Sequence, residues 1–247
     1  MTAWLFDLGN TRLKFAPLHP DGSLGEVMAV AHDGTRFDAG WEQRLPARCE
    51  ACSLSSVAAP ALRGALLEAL ASRCGRVSIA STLARCDGVT IAYADPRRLG
   101  VDRFLALLAA HARGNGPSLV VGVGTALTVD LVDAQGRHRG GRIAPSPALM
   151  RQALHARTAQ LPADGGSYAE FAADTADALV SGCEGAALAL VERSREAAHA
   201  LLGARPHLLL HGGGAPALAA RLDGAEPAPS LVLEGLARWA RMERIFA

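Results

Sequence analysis

Asp7-Leu8-Gly9-Asn10-Thr11-Arg12-Leu13-Lys14 lies across two strand-like segments, Trp4–Asp7 and Arg12–Ala16, and its reading decides the fold. Apolar residues lead into an acid, then a glycine that lets the backbone approach an anion, then two small hydrogen-bonding side chains and a cation. Lys14 is the only lysine among the 25 basic residues. A carboxylate, turn amides and a point charge at one strand end suit a metal-bound polyphosphate. The same residues also close an ordinary Asx or Ser/Thr turn, so the octet alone does not decide between phosphate binding and a plain hairpin.

A second copy of the pattern follows. The first hairpin continues through the turn His19-Pro20-Asp21-Gly22 into a third strand over Glu26–Ala31. Later, Leu119–Val123 reads as a strand, Gly124-Thr125-Ala126 as a turn and Leu127–Val132 as its return. Ala134-Gln135-Gly136 then turns the chain into a third strand through Ile143. The offset of about 115 residues is that of an internally repeated unit. Helical periodicity or capping predicts helices over Pro60–Cys74, between Arg97 and Gly114, and over Pro147–Thr158, Thr175–His199, Ala215–Arg221 and Glu234–Arg244. Val77–Ala80 and Leu208–Leu210 are further strands. The expected architecture is α/β, with lobes 1–116 and 117–247 and a nucleotide cleft between them.

Composition narrows the class. A balance of 25 basic against 24 acidic residues gives no general attraction to nucleic acid or an anionic membrane. No uncharged apolar run reaches the length of a membrane span, and the first residues lack a basic leader. Aromatic residues are only 4% of the chain, so aliphatic side chains must fill the core, with Trp4 and Trp41 as packing residues. Five cysteines, with Cys49-x-x-Cys52 lacking a second ligand pair, read as buried thiols in a reducing cytoplasm.

Two other segments carry candidate chemistry. In Gly122-x-Gly124-Thr125-x-x-Thr128-x-Asp130, Gly124, Thr125 and Thr128 are candidate phosphate contacts and Asp130 a hard oxygen ligand or charge partner. Neither glycine turn is a P-loop, and no strand–GxGxxG–helix signature is present. In Asp95-Pro96-Arg97-Arg98-Leu99-Gly100-Val101-Asp102-Arg103, Asp102 opens a helix, where its anion is favoured. It can accept a proton from an acceptor hydroxyl while Arg103 grips a carboxylate. An acidic cap beside a surface arginine explains the same letters. His211, ending an apolar strand before Gly212-Gly213-Gly214, reads as a structural imidazole.

The ordered set of motifs resembles the type III pantothenate kinases. It comprises Asp7-x-Gly9-Asn10-Thr11-x-x-Lys14, Gly100-x-Asp102-Arg103, Gly124-Thr125-Ala126-x-Thr128-x-Asp130 and Gly140-Gly141-x-Ile143-x-Pro145. Thr175-x-x-Ala178-x-x-Ser181-Gly182, Gly212-Gly213 and Leu233-Glu234-Gly235-Leu236 extend the likeness over nearly the whole chain. The resemblance implies two ribonuclease-H-like lobes of the acetate-kinase/actin-like fold, assembled as a homodimer. It implies transfer of the γ-phosphoryl of ATP to pantothenate, with Mg2+ or another divalent cation and with K+ or NH4+. By the same resemblance Asp102 is the general base, and Gly100, Arg103 and Thr175 bind pantothenate. Asp7, Gly9, Asn10, Thr11, Lys14, Gly124, Thr125, Thr128, Gly212 and Gly213 serve ATP; Asp7 holds the divalent ion and Asp130 the monovalent one.

Two departures stand out. Many relatives carry an acid where this chain has Gly122, and glycine where it has Ser146 before Pro147. A sugar or small-polyol kinase, a phosphatase or ATPase, and a nucleotide-binding regulator are the competing readings.

Overall fold

The computed structural model describes residues 3–158 and 160–242. The chain forms two compact units, one of Met1–Arg113 with Ser230–Ala247 and one of Gly114–Pro229.

In the first unit, β1 (Ala3–Leu8), β2 (Arg12–Leu18) and β3 (Met28–Ala31) form an antiparallel meander. Alternation sends Phe6, Leu8, Leu13 and Phe15 into the core, where Phe6 and Phe15 stack 5.6 Å apart and Trp4 lies 6.2 Å from Phe15. Trp41 stacks on Phe37 at 4.0 Å, so both tryptophans are packing residues. β4 (Cys49–Ser56) then enters parallel to β1. Helix α1 (Pro60–Ala71) starts at its proline and buries Leu62, Leu66, Ala69 and Leu70, one stripe at helical spacing. It returns the chain to β5 (Cys74–Ile79), parallel to β4, giving the order β3-β2-β1-β4-β5. A small hairpin of β6 (Arg85–Cys86) and β7 (Val89–Thr90) turns at Asp87-Gly88, both with positive φ. A 3-10 turn at Pro96–Arg98 leads to α2 (Val101–Ala112), buried from Arg103 to Ala110.

The sequence did not mark β4, and it carried α1 three residues too far. Helix α1 ends at Ala71 because Cys74 is already the start of β5, in register with Cys49 and joined to it by a disulfide. The expectation of buried thiols holds for Cys52, Cys86 and Cys183 and fails for Cys49 and Cys74, which form the disulfide.

The second unit repeats the plan. Strands β8 (Ser118–Val123), β9 (Ala126–Val132) and β10 (His138–Pro145) form the meander, followed by α3 (Pro147–His155) and α4 (Thr175–Leu202). β11 (His207–His211) lies parallel to β8, and α5 (Ala215–Ala219) leads to β12 (Ala225–Pro227), parallel to β11. The order β10-β9-β8-β11-β12 matches that of the first sheet, strand for strand. One face, with Leu119, Val121, Val123, Leu127, Val129 and Leu131, packs in a core with Ala187, Leu188, Val191 and Ala198 of α4.

The last helix, α6 (Leu231–Met242), belongs to the first unit, which corrects the expected second lobe of 117–247. The part of that predicted helix reaching Arg244 lies outside the described residues. Its apolar face packs on α2, and its polar residues reach the same unit: Glu234 pairs with Arg113 at 3.0 Å, Arg238 pairs with Asp87, and Arg241 donates to the Asp21 carbonyl at 2.8 Å. Periodicity located the helix but could not say which sheet its face would cover. Among the described residues no helix is long and apolar enough to cross a membrane.

Gly235 sets the approach of α6 to α2, since a Cβ there would lie 1.9 Å from the Leu105 carbonyl oxygen. Replacing a helical glycine by alanine ordinarily stabilises by about 0.5–1 kcal/mol, but forced overpacking costs about 1–3 kcal/mol. Gly235→Ala is therefore expected to lower stability in denaturant titration. A variant as stable as the parent, or more so, would contradict this packing.

Candidate active site

The first unit places three side chains in a row at one end of its sheet. Asp7 on β1 is in register with Lys14 on β2 and Ser55 on β4, so all three project from one face. Strict alternation thus brings Lys14 to Asp7 directly, and no bend of the hairpin is needed. The Ser55 hydroxyl donates to Asp7 Oδ1 at 2.7 Å. Burial raises the Asp7 carboxyl to about 6; the Ser55 hydrogen bond opposes the rise, the Asp102 charge adds to it and Lys14 offsets part. Asp7, Lys14 and Asp102 are therefore within electrostatic reach of one another.

The turn beyond Asp7 is held from behind. Gly9 N–H donates to the Arg12 carbonyl at 3.0 Å, leaving Asn10 and Thr11 exposed at the tip. Buried His32 accepts from Gly34 N–H through Nδ1 at 3.1 Å, so its Nε2 carries the proton and donates to the Gly9 carbonyl at 3.0 Å. Neither Ser55 nor His32 was singled out from the sequence. Both lie far from Asp7 along the chain, and only β4 and the loop after β3 bring them in.

Asp102 sits in the first turn of α2, where its Oδ1 accepts the Arg103 N–H at 2.9 Å. A Cβ on Gly100 would lie 2.6 Å from that oxygen, so glycine at the helix cap keeps room for the carboxylate. Arg103 is 7% exposed, which excludes the surface-arginine reading, and its Nη1 donates to the Tyr93 hydroxyl at 3.4 Å. Tyr93 is a further site residue the sequence reading missed. Thr82 fixes the loop from beneath, donating to the Leu99 carbonyl at 2.8 Å.

The second unit forms its own half-site where β8 ends. Gly124 N–H donates to the Ala126 carbonyl at 2.9 Å, which exposes Gly124 and Thr125. Gly212, at φ +95°, turns the chain against Val123: a Cβ there would meet the Val123 oxygen at 2.4 Å. Gly214 N–H also donates to that oxygen at 3.0 Å. The Gly212-Gly213 loop is thereby tied to the residue preceding Gly124. Thr128 lies beside Gly122 in the strand register. Thr175 is the exposed first residue of α4, after Asp174, whose carboxylate caps the helix through Ala176 N–H at 2.8 Å.

Asp130, the expected monovalent-cation ligand, lies inside the second unit. It is 2% exposed, and its Oδ1 lies 3.0 Å from Nε2 of the equally buried His138. Its neighbours across the strands, Val120 and Gly141, bring no side-chain oxygen. Asp7 fits a divalent ion: its carboxylate is oriented by Ser55, and burial weakens its hold on charge unless a cation is near.

Two sheets of one strand order, each ending its first hairpin in a small-residue turn, define the class: the acetate-kinase/actin-like fold, with two ribonuclease-H-like units. Solved structures agree on the fold. A candidate 2-dehydro-3-deoxygalactonokinase from Sinorhizobium meliloti superposes with a TM-score of 0.63 at 17% identity, covering 99% of this chain and 100% of that one. The activator of the 2-hydroxyisocaproyl-CoA dehydratase from Clostridium difficile, with bound ADPNP, gives 0.52 at 13% identity, covering 98% and 95%. Within that class the chain belongs to the type III pantothenate kinase family, whose model matches residues 4–197. A type III pantothenate kinase of Stenotrophomonas maltophilia (strain R551-3) is 60% identical over 240 residues, 97% of this chain and 98% of the relative.

The raised Asp7 carboxyl makes a testable statement about stability. Because its folded value lies above the usual 3.8, the group favours the folded state at acid pH and loses that contribution as pH rises through about 6. Asp7→Asn, which cannot ionise, is expected to match the parent in thermal melts at about pH 3.5, below the unfolded value, and to exceed it at pH 7.5. A constant difference across that range would contradict the burial described.

Proposed function

We propose that this chain transfers the γ-phosphoryl group of ATP to the primary hydroxyl of pantothenate, giving 4′-phosphopantothenate and ADP, the first step of coenzyme A synthesis. The observation that carries the reading is the placement of Asp102. Its carboxylate is kept clear by Gly100, stands beside a buried Arg103, and shares an electrostatic neighbourhood with Asp7 and Lys14, in a chain of the type III pantothenate kinase family.

The reaction divides among these residues. Asp102 orients the acceptor hydroxyl and takes its proton as oxygen bonds to the γ-phosphorus and the bond to the β-bridging oxygen breaks. Arg103, held by Tyr93, pairs with the pantothenate carboxylate, and Gly100 and Thr175 complete that substrate's contacts. Amides of the Gly9-Asn10-Thr11 turn with Lys14, and those of the Gly124-Thr125 turn with Thr128, are the proposed contacts to ATP phosphates; Gly212 and Gly213 are those to its nucleoside. Asp7 holds the divalent ion, which when bound neutralises charge on the phosphates. Positioning and charge matching supply the catalysis, and no covalent protein nucleophile is required.

The cytoplasm is the proposed compartment and a homodimer the proposed assembly. Supporting the dimer, α3 buries none of its residues in the single chain, and Leu149 and Leu154 on it, with Ile143 on β10, are exposed. Leu154→Glu is expected to shift the protein from dimer to monomer in sedimentation. An unchanged mass would remove α3 from the interface.

Incubation with ATP, magnesium and pantothenate, followed by mass identification of products, tests the central reading. ADP and phosphopantothenate in equal amounts support it. Free phosphate alone indicates hydrolysis, and a phosphorylated sugar from a parallel panel indicates a different acceptor. Asp102→Asn should keep ATP binding and lose transfer. A charged hydrogen bond contributes about 1.5–3 kcal/mol, so kcat should fall by about 10- to 150-fold. Arg103→Gln, and more mildly Tyr93→Phe, should raise the KM for pantothenate while that for ATP stays within about twofold. Equal effects on both substrates would remove Arg103 from the acceptor site.

A further inference from the structure

We propose that Cys49, Cys52 and Cys74, when reduced, form a thiolate site for one zinc ion, with water as the fourth ligand. The site lies within the first unit and is independent of the reaction proposed above.

In the sequence, Cys49-x-x-Cys52 lacks a second ligand pair, and two thiols are too few for zinc. The sheet supplies the missing ligand. Cys74 opens β5 in register with Cys49, the first residue of β4. Cys49 and Cys52, three apart on one strand, would face opposite ways under strict alternation. Both nonetheless reach the core that α1 covers, with Cys74 packed against it. The three sulfurs lie within 4.8 Å of one another, and Cys49 and Cys52 are 6% and 1% exposed. A zinc–sulfur bond of about 2.3 Å sets the sulfurs of a tetrahedral site about 3.8 Å apart, so the cluster closes onto one ion by small side-chain movements.

A staple between β4 and β5 uses two sulfurs, and the Cys49–Cys74 disulfide is that staple. A small apolar filler explains why Cys52 is buried, but not why its sulfur lies within reach of both others. The backbone holds the trio together without the covalent bond. Cys49 N–H donates to the Arg73 carbonyl at 3.0 Å, Arg73 N–H to the Leu70 carbonyl at 3.0 Å, and Ala80 N–H to the Leu54 carbonyl at 2.8 Å. Arg73 Nη1 ties the same turn to the Ala69 carbonyl at 2.7 Å. Gly75 lets the strands meet, since a Cβ there would lie 2.9 Å from the Glu50 carbonyl oxygen. Cys74 therefore stays opposite Cys49 when the sulfurs part.

The disulfide is the oxidised form. A dithiol reductant transfers two electrons and two protons to it, closing to its own disulfide and leaving two thiols beside Cys52. Zinc then displaces the three thiol protons into the buffer. Three thiolates with Zn2+ leave one negative charge to bury, where a monovalent ion would leave two. Among the described residues no imidazole or carboxylate joins the cluster, and Cys74 is its partly exposed member, so water reaches the fourth position from that side. Metal and disulfide are alternative states of one site, and bound zinc withholds Cys49 and Cys74 from oxidation.

The full chain, reduced with dithiothreitol and desalted under nitrogen, is titrated with Co2+ and then with Zn2+. One equivalent of Co2+ should give thiolate-to-cobalt charge-transfer absorption of three-thiolate strength, and Zn2+ should bleach it. Zn2+ should also raise the melting temperature of the reduced chain and slow re-formation of the disulfide. The oxidised chain should show no such absorption. Cys52→Ala and Cys52→Ser keep the disulfide pair, and cooperative melting of their oxidised forms confirms the fold. Reduced, they should lose about a third of the absorption and bind Zn2+ at least about tenfold more weakly, since losing a ligand costs no less than losing its outer partner. Absent thiolate absorption in a reduced parent that still melts cooperatively, or Cys52 variants that bind Zn2+ as the parent does, would overturn the proposal. Should reduction unfold the chain, a cooperative melt restored by Zn2+ supports the site, and a chain left unfolded by Zn2+ overturns it.

Discussion

A carboxylate placed at the end of a central strand is costly to bury, and the first unit is organised around making Asp7 tolerable there. Ser55 donates a hydrogen bond to it and Lys14 brings opposite charge, yet Asp102 pushes the other way and burial still raises its proton affinity. A site left short of positive charge in this manner is suited to a ligand that arrives as a metal-bound polyphosphate. The row exists only because β4 runs parallel to β1 in the register that sets Ser55 opposite Asp7. The chain reaches β4 only after β2, β3 and the loop that follows them, and α1 then returns it to β5, which covers the other edge of β4.

The second unit uses the same frame for different chemistry. Its sheet order, its hairpin turn and the parallel return strand are retained, with the turn one residue shorter between paired strands. Here the buried carboxylate, Asp130, is satisfied within the fold by His138, and the position equivalent to Asp7 has no side chain.

Close approach recurs as the reason for particular glycines. Gly100 makes room for the Asp102 carboxylate, Gly212 brings a loop onto Val123, and Gly235 lets α6 reach α2. Gly212 and Gly235 face backbone atoms that cannot move away cheaply, so a side chain there had to go instead, whereas at Gly100 the atom approached is the Asp102 carboxylate oxygen.

The sequence by itself determined the local features: the hairpin turns at Gly9 and Gly124, the helix carrying Asp102 and Arg103, and the repeat that announces two units of one plan. Those are read from spacing, because turns, caps and periodicity act over a few residues. The ordered motifs also carried the family likeness. Tertiary structure alone decided the rest. Strand β4, with its Cys49-Glu50-Ala51-Cys52-Ser53-Leu54-Ser55-Ser56, looks like a polar loop, yet Ser53 and Ser55 are buried because strands lie on both sides of it. His32 and Tyr93 reach partners brought in from other segments. The attachment of α6 to the first unit and the contact of Asp130 with His138 likewise depend on which atoms meet across the sheets, and side-chain spacing along one chain carries no record of that.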